Sequence, residues 1–288
     1  MNFVERRYLT FSFAIVLAVL AIIFLITPGL NYGIDFTGGT LLERQVAEDV
    51  TVEEIRSLLS GELAELNIAN ATIQLLENPN EFVIRTRELS NAEIGQVDQA
   101  LASNFGDVEI RRTDMVGPVV GKELIRQSLI ALVLASIGIL IYIAIRFEFR
   151  FAVSAIIALM YDVIVVLGVF AISGKEINSA FIAAILTVVG YSINNTIVVF
   201  DRIRSHLKTR KKESLAELVN TSLEETLPRT INTSLTTFVT VFLLYLFGGS
   251  AISDFAFALV VGLISGTFTS LFLSGQIWLE WNARAINS

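Results

Sequence analysis

The chain has 288 residues, of which 53% are hydrophobic and 17% charged, and its mean hydropathy is +0.66. This composition excludes an ordinary water-soluble enzyme and is typical of a protein with several membrane-spanning helices. The net charge is −7, and residues 35–123 alone carry 17 acidic and 7 basic side chains. Nucleic acid is not an expected partner, because it would require a basic surface. The absence of cysteine excludes disulfides, thiolate metal sites and a cysteine nucleophile.

Six apolar segments are long enough to cross a bilayer, since a helix needs about 20 apolar residues to span the hydrocarbon core. They cover residues 8–27, 127–145, 151–174, 177–200, 230–253 and 255–279. The first segment is longer than the apolar region of a signal peptide, and no small-x-small cleavage pattern follows it. We therefore interpret it as a retained span and predict a polytopic α-helical membrane protein with six transmembrane helices.

The lysines and arginines of the short connections predict the orientation, because they favour the cytoplasmic side. They lie before the first span, between the second and third, and between the fourth and fifth. Both termini are therefore predicted on the cytoplasmic side of the membrane. Lone His206 lies in the basic connection, where the pattern favours a solvated surface histidine. The predicted organisation is 1–32 (N-terminus and first helix), 33–122 (extracytoplasmic domain) and 123–288 (helices two to six).

The polar block after the first span has the pattern of a small folded domain. Two capping boxes, Thr51-x-x-Glu54 and Ser90-x-x-Glu93, predict helices over 52–66 and 91–105, and Gly106 follows as a left-handed cap. Strand-like runs cover 40–46, 71–76, 81–86 and 108–113, with a turn at 78–80. The order β-α-β-β-α-β is that of a ferredoxin-like α+β domain. Because it shows no nucleophile, base and orienter, we interpret it as a recognition or docking surface.

A second polar segment, 201–228, is predicted to combine a basic loop with a short amphipathic helix. Ser214-x-x-Glu217 is another capping box, and leucines and a valine follow at helical spacing. Pro228 is predicted in the first turn of the fifth span, where its missing N–H costs nothing. This segment contacts either anionic membrane lipid or a partner, and the pattern does not decide between them.

Polar residues inside the spans predict a functional site. Asp162 lies near the middle of the third span, where an ionised Asp costs about 2.5–3.5 kcal/mol. The alternative is a hydrogen-bonded Asp that only holds helices together. Asn194, Asn195 and Thr196 lie about 9 Å inside the end of the fourth span. In the fifth span a polar stripe follows three- and four-residue steps: Arg229, Asn232, Thr233, Thr236, Thr237 and Thr240.

The stripe alone is consistent with either helix pairing or an ion pathway. Together with Asp162 and the two asparagines it predicts a hydrated, proton-conducting seam. The sixth span has small residues at four-residue intervals, Gly262, Gly266, Ser270 and Ser274, which predict close helix packing. No phosphate loop, metal cluster or catalytic triad is visible, so we expect no covalent catalysis and no cofactor. The energy source is therefore expected to be an ion gradient, with protons as the coupling ion, or a partner ATPase.

Four motifs resemble those of the SecD/SecF family of bacterial protein-export membrane proteins, and the resemblance extends over essentially the whole chain. They are GIDFTGGT at 33–40, GPVVG at 117–121, GYSINNTIVVFDRIR at 190–204 and PRTINTS at 228–234. The resemblance assigns these positions to the family motif: Gly33, Asp35, Gly38, Gly39, Gly190, Asp201 and Arg202. It also implies the resistance-nodulation-division architecture, in which ionisable groups of the fourth span face polar groups of neighbouring spans.

The resemblance implies an accessory subunit in the cytoplasmic (inner) membrane that works with SecD on the SecYEG channel, with YajC and YidC as further candidate partners. Its substrate would be unfolded preprotein and its energy source the proton-motive force. The family's proton-responsive positions map onto Asn195 and Arg229, but family members usually have Asp where this chain has Asn195. An amide does not carry a proton near neutral pH. The predicted pathway therefore includes Asp162 as well as these residues: Asn194, Asn195, Thr196, Arg229, Thr233 and Thr236.

Two other functions remain compatible with the sequence. One is half of an efflux transporter of the resistance-nodulation-division type, although such transporters usually have twelve spans and two outward domains. The other is a structural assembly subunit without ion coupling, which the amide of Asn195 makes more plausible.

Overall fold

The computed structural model of the chain describes residues 3–27, 29–76, 78–210 and 213–287. Its helices are α1 Arg7–Ile26, α2 Ile34–Thr37, α3 Val52–Ser60, α4 Asn91–Phe105, α5 Pro118–Arg146, α6 Phe149–Ser173, α7 Ser179–Thr209, α8 Leu215–Phe247, α9 Ser250–Phe272 and α10 Ser274–Asn287. Its strands are β1 Asn31–Tyr32, β2 Gly39–Gln45, β3 Thr72–Leu75, β4 Glu81–Thr86, β5 Glu109–Val116 and β6 Glu176–Ile177. The chain forms two compact units, Tyr32–Ser128 and a helical unit made of Met1–Asn31 with Leu129–Ser288.

Six helical segments of the described chain are long and apolar enough to cross a membrane, which confirms the predicted number of spans. They are α1, α5, α6, α7, α8 and the segment Ala251–Asn282, which joins α9 to α10. The chain is therefore a multi-pass membrane protein.

The fourth and fifth spans differ from their predicted bounds. Helix α7 continues to Thr209, so most of the predicted basic loop is helical, while Lys211 and Lys212 lie outside the described residues. Helix α8 begins at Leu215, and Pro228 lies inside it. The prediction of a separate amphipathic helix ending before Pro228 is therefore wrong. A proline inside a helix removes one backbone hydrogen bond, and packing of both halves against neighbouring helices makes this tolerable.

The apolar face of the first half of α8 is covered by the chain itself. Leu218, Val219 and Leu223 are buried. A methyl group placed on Gly275 of α10 would lie 3.7 Å from Val219 and 3.5 Å from Ile203 of α7. The sequence predicted that either membrane lipid or a partner contacts this segment. In the structure, α7 and α10 cover its apolar face instead.

The small-residue ridge of α9 packs against α7. A methyl group on Gly262 would lie 2.2 Å from Cγ2 of Val188, and one on Gly266 would lie 2.9 Å from Cβ of Ser192. Close approach is thus possible only because these positions lack a side chain. A similar crossing joins α1 to α6, where a methyl group on Gly168 would lie 2.4 Å from Cβ of Ala21. The sequence did not identify this second crossing.

The unit formed by Tyr32–Ser128 contains a four-stranded antiparallel sheet in the order β3-β4-β2-β5. Strand β4 and helix α4 have the predicted bounds, strand β2 begins and ends one residue earlier than predicted, and strand β3 is one residue shorter at each end. Strand β5 extends three residues beyond the prediction, to Val116. Helix α3 stops at Ser60, because Gly61 interrupts it, and a 3₁₀ turn over Ala64–Leu66 follows.

The predicted capping boxes are present. The Thr51 and Ser90 hydroxyls each accept the backbone N–H of the glutamate three residues on, at 3.3 Å. The glutamate carboxylate in turn accepts the backbone N–H of the capping residue. Gly106 follows α4 with a φ of +79°, as expected for a position that favours glycine. These local signals fixed where the two helices begin.

The core of this unit contains a buried arginine that the hydrophobic pattern did not reveal. Arg44 of β2 is fully buried. Its Nε donates to Oδ1 of Asp98 at 2.7 Å and its Nη2 donates to Oδ2 at 3.2 Å. Its Nη1 also donates to the carbonyl of Arg112 on β5. The buried guanidinium therefore ties the sheet to helix α4.

The glycines of the GIDFTGGT motif allow close backbone contacts within this unit. Gly38 and Gly39 have φ angles of +73° and +126°, and a methyl group on Gly39 would lie 2.2 Å from the carbonyl oxygen of Thr86. A methyl group on Gly121, at the start of α5, would lie 3.1 Å from the carbonyl oxygen of Phe36. The first and second sequence motifs therefore pack against each other.

Candidate functional site

Asp162 of α6 is fully buried at the junction of α6, α7 and α9. Its carboxylate accepts three hydroxyl hydrogen bonds. Ser192 of α7 donates to Oδ2 at 2.6 Å, and from α9 Ser265 donates to Oδ1 at 2.6 Å and Thr269 donates to Oδ2 at 3.0 Å. We call these four residues the Asp162 cluster.

The sequence builds this cluster by combining helical spacing with close packing. Ser265 and Thr269 are four residues apart, so they lie on one face of α9. Gly266, beside them, brings α7 close enough for Ser192 to reach the same carboxylate. A neighbouring contact joins Thr196 to Ser270 at 3.1 Å. The small residues of α9 therefore serve both packing and the polar contacts of the site.

The hydroxyls around Asp162 can accommodate a change in its protonation. An ionised carboxylate only accepts hydrogen bonds, whereas a protonated carboxyl must also donate one. A serine or threonine hydroxyl can rotate from donor to acceptor, so Ser192 or Ser265 can meet either requirement. No positively charged side chain is among the described partners of the carboxylate. The three hydroxyl hydrogen bonds are therefore what stabilises its negative charge when it is ionised. The cluster thus has the chemistry of a reversible proton site.

The structure separates the residues that the sequence grouped into one seam. None of the three groups that donate to Asp162 belongs to the predicted pathway. Asn194 is exposed, Asn195 is 3% exposed, and the Thr196 hydroxyl contacts Ser270. Among the described contacts, Asn194 and Asn195 of α7 therefore make no hydrogen bond to Asp162 of α6, whereas Thr196 is linked to the Asp162 cluster through Ser270, which donates to the Ser192 carbonyl at 3.3 Å.

The polar stripe of the fifth span faces out of the helical unit. Arg229, Thr233 and Thr236 are exposed, and the buried face of α8 carries Thr226, Thr230 and Ser234. The hydroxyls of Thr233 and Thr236 donate to carbonyls of their own helix at 2.9–3.1 Å. The structure therefore does not place this stripe and Asp162 in one seam inside the chain, because most of the stripe lies outside the packed face of α8 and only Thr237 is half-buried.

Sequence reasoning missed Ser192, Ser265 and Thr269, the residues that contact Asp162. Serine and threonine are common in membrane helices, so their presence alone carried little information. A usable signal was the four-residue spacing of Ser265 and Thr269 around Gly266. A second polar contact was also missed: the Ser234 hydroxyl lies 3.2 Å from Tyr191 and 2.9 Å from Thr267.

The C-terminal end of α7 and the N-terminal end of α8, both predicted on the cytoplasmic side, are joined by charged and polar contacts. Arg202, a residue of the family motif, pairs with Glu225 of α8, and Asp201 lies 3.6 Å from Arg146. His206 Nδ1 lies 3.2 Å from the Ser222 hydroxyl, and its Nε2 lies 3.2 Å from Glu225. His206 is therefore half-buried and contacts two polar groups rather than being fully solvated, because α8 extends far enough to cover part of it.

Together, six apolar helices, a polar sheet unit after the first of them and a buried carboxyl at a helix junction define a polytopic membrane protein with an intramembrane ionisable site. The family Protein export membrane protein SecD/SecF, C-terminal, matches residues 96–284, and the SecD/SecF GG Motif matches residues 23–49. The chain belongs to the SecD/SecF family of protein-export membrane proteins.

Relatives agree over nearly the whole chain. It is 40% identical to the protein translocase subunit SecF of Desulfurispirillum indicum, covering 99% of this chain and 92% of the relative. It is also 40% identical to SecDF of Bacillus subtilis, covering 99% of this chain and 38% of that protein.

Solved structures give the same result. The crystal structure of SecDF from Thermus thermophilus, described as a translocon-associated membrane protein, has a TM-score of 0.91 at 36% identity. A structure of SecDF in a super-membrane-facing form has a TM-score of 0.73, also at 36% identity. This chain spans 39% of the length of either solved chain.

Proposed function

We propose that this chain is a SecF-type accessory subunit of the Sec protein translocase that, with SecD, uses the proton-motive force to promote preprotein export. The names of the relatives support the translocase role. The observation that carries the proton coupling is the fully buried carboxyl of Asp162, held by three rotatable hydroxyls.

The coupling follows from the position of Asp162 between three helices. Protonation reverses the direction of at least one hydrogen bond to Ser192 or Ser265, and these donors belong to α7 and α9. A change at this junction alters which arrangement of α6, α7 and α9 is favoured. Protons are the only coupling ligand in this proposal, which involves no covalent catalysis and no other cofactor.

The exposed stripe of α8 supports SecD as the partner in the membrane. Arg229, Thr233 and Thr236 project from the packed helices of this chain, and Asn194 of α7 is exposed as well. Polar side chains facing hydrocarbon are costly, and in membrane proteins they usually face other helices. We assign this surface to the helices of SecD, so that the predicted proton pathway is completed between the two subunits rather than within one.

The polar unit supports an extracytoplasmic role. Its β-α-β-β-α-β order and its antiparallel sheet order β3-β4-β2-β5 fit a ferredoxin-like domain over residues 33–122. The distribution of lysine and arginine favours this domain outside and both termini in the cytoplasm, in the inner membrane. Unfolded preprotein is the proposed substrate, and SecYEG, YajC and YidC are the proposed further partners.

Export into inverted membrane vesicles that contain SecYEG tests the proposal. Vesicles are prepared without this chain, with this chain alone, and with this chain plus SecD, and each is assayed with and without an imposed proton gradient. We expect the gradient to increase export only when both subunits are present. Export that rises with both subunits but ignores the gradient would instead indicate an assembly subunit, and failure of the chain to copurify with SecD would reject the pairing.

A further inference from the structure

Two buried polar atoms on neighbouring helices have no hydrogen-bond partner within the described part of the chain. They are Nδ2 of Asn195 on α7 and Oγ1 of Thr230 on α8. Asn195 is 3% exposed and Thr230 is 1% exposed. Buried polar groups are nearly always paired, and leaving one unpaired costs as much as a lost hydrogen bond or more. The two atoms therefore call for a common explanation.

The two residues lie at the same level of the helical unit. Helices α7 and α8 follow each other through a short connection and run antiparallel, and Tyr191 of α7 contacts Ser234 of α8 through their hydroxyls at 3.2 Å. Asn195 is four residues beyond Tyr191, and Thr230 is four residues before Ser234. Each step is about 6 Å in the same direction, so Asn195 and Thr230 remain opposite each other.

Both residues also lie on the faces where the two helices meet. Positions four apart share one face of a helix, so Asn195 shares the face of Tyr191 and Thr230 shares the face of Ser234. The next contact along the seam, between Arg202 and Glu225, continues the same pairing of α7 with α8. The unpaired amide and hydroxyl therefore lie between two observed contacts of one seam.

We propose that Asn195 and Thr230 form one buried site that binds a water molecule between α7 and α8. Water accepts a hydrogen bond from the Asn195 amide and exchanges one with the Thr230 hydroxyl, which satisfies both atoms. An ion would fit this site less well than water. The charged side chain nearest to Thr230 in the sequence, Arg229, is exposed and therefore offers no buried charge to balance that of an ion. A role for this water in proton movement rests on the proposed function, but its binding does not.

The sign of a stability change tests the site. Thr230→Val removes the hydroxyl at nearly constant volume. If the hydroxyl holds a water, the substitution leaves Asn195 unpaired and lowers the Tm of the purified chain by about 2–4 °C. If the hydroxyl has no partner, its removal raises the Tm, and the proposal is rejected. Thr233→Val is the matched control, because that exposed hydroxyl bonds only to its own helix, and its Tm should change by less than about 1 °C.

A double-substitution cycle and a direct observation complete the test. Combining Thr230→Val with Asn195→Leu should lower the Tm by less than the sum of the single changes, because both would remove the same water. In chain labelled with ¹⁵N-asparagine, the side-chain amide signal lost in Asn195→Leu should show magnetisation transfer from a bound water. Additive Tm changes together with no such transfer would overturn the proposed water site. This result would not affect the proposed function, because gradient-dependent export by the unaltered chain is measured separately.

Discussion

A series of glycine-to-alanine substitutions tests how α9 packs against α7 beside Asp162. In a helix interior, alanine is favoured over glycine by about 0.5–1 kcal/mol when the added methyl group meets open space. Gly190 of α7 meets this condition, because, apart from its chain neighbours and the backbone of its own helix, no described atom lies within 4 Å of the added position. At Gly266 the methyl group would lie 2.9 Å from Cβ and 3.2 Å from Oγ of Ser192. At Gly262 it would lie 2.2 Å from Val188.

The free-energy gain from alanine in a helix and the cost of overpacking together predict an order of stability for the three variants. Overpacking costs about 1–3 kcal/mol, and moving Ser192 weakens a hydrogen bond to a carboxylate that contributes about 1.5–3 kcal/mol. Gly190→Ala should therefore be neutral or stabilising, Gly266→Ala should destabilise by about 1–3 kcal/mol, and Gly262→Ala should destabilise at least as much. For a chain of this size, 1 kcal/mol shifts the Tm by roughly 2–4 °C. Thermal unfolding in one detergent measures all three, and equal Tm values for Gly190→Ala and Gly262→Ala would refute the packing.

Three further predictions address the sheet unit and the asparagine site. The Arg87 guanidinium, followed by the Ser90 backbone and hydroxyl, lowers the pKa of Glu93 to about 2, so the stability that Glu93 adds is present above its unfolded pKa of about 4.3 and is lost toward pH 2. The Tm difference between the unaltered chain and Glu93→Gln should accordingly shrink over that range. Asp98→Asn should lower the unfolding free energy by about 3 kcal/mol, because it leaves buried Arg44 without its anion, whereas an unchanged Tm would show that backbone carbonyls suffice. Asn195→Asp should increase the gradient-dependent part of export, and an identical response to the gradient would exclude this position as a relay.

Local signals predicted the elements that depend on neighbours in sequence. The capping boxes located the first residues of α3 and α4, since both partners lie within one turn. Apolar length predicted six spans, because the bilayer imposes the same minimum on every helix. Packing over long sequence distances could not be predicted in this way. The Ser214 capping box located the first residue of α8, but the continuation of this helix through Pro228 depends on contacts with α7 and α10, which override the local preference of Pro228 to begin a helix.

The candidate site, too, could be predicted from the sequence only in part. The cost of burying a charge identified Asp162 from sequence alone. Its partners come from helices 30 and 103 or more residues away, at Ser192, Ser265 and Thr269, and no periodicity within one span could select them. Spacing identified the stripe on α8 as one polar face but did not tell what covers that face, and in the structure most of the stripe is exposed.

The gradient response of export with Asp162→Asn tests the proton coupling most directly. Asparagine keeps the size and one acceptor oxygen for Ser192 or Ser265 but cannot take up or release a proton. Asp254→Asn is the control, since it removes a carboxylate from the start of α9 that pairs with Lys175. In vesicles with SecYEG and SecD, Asp162→Asn should retain gradient-independent export and lose the increase produced by the gradient, while the control keeps that increase. An unchanged gradient response in Asp162→Asn, with the subunit assembled at normal levels, would contradict the account.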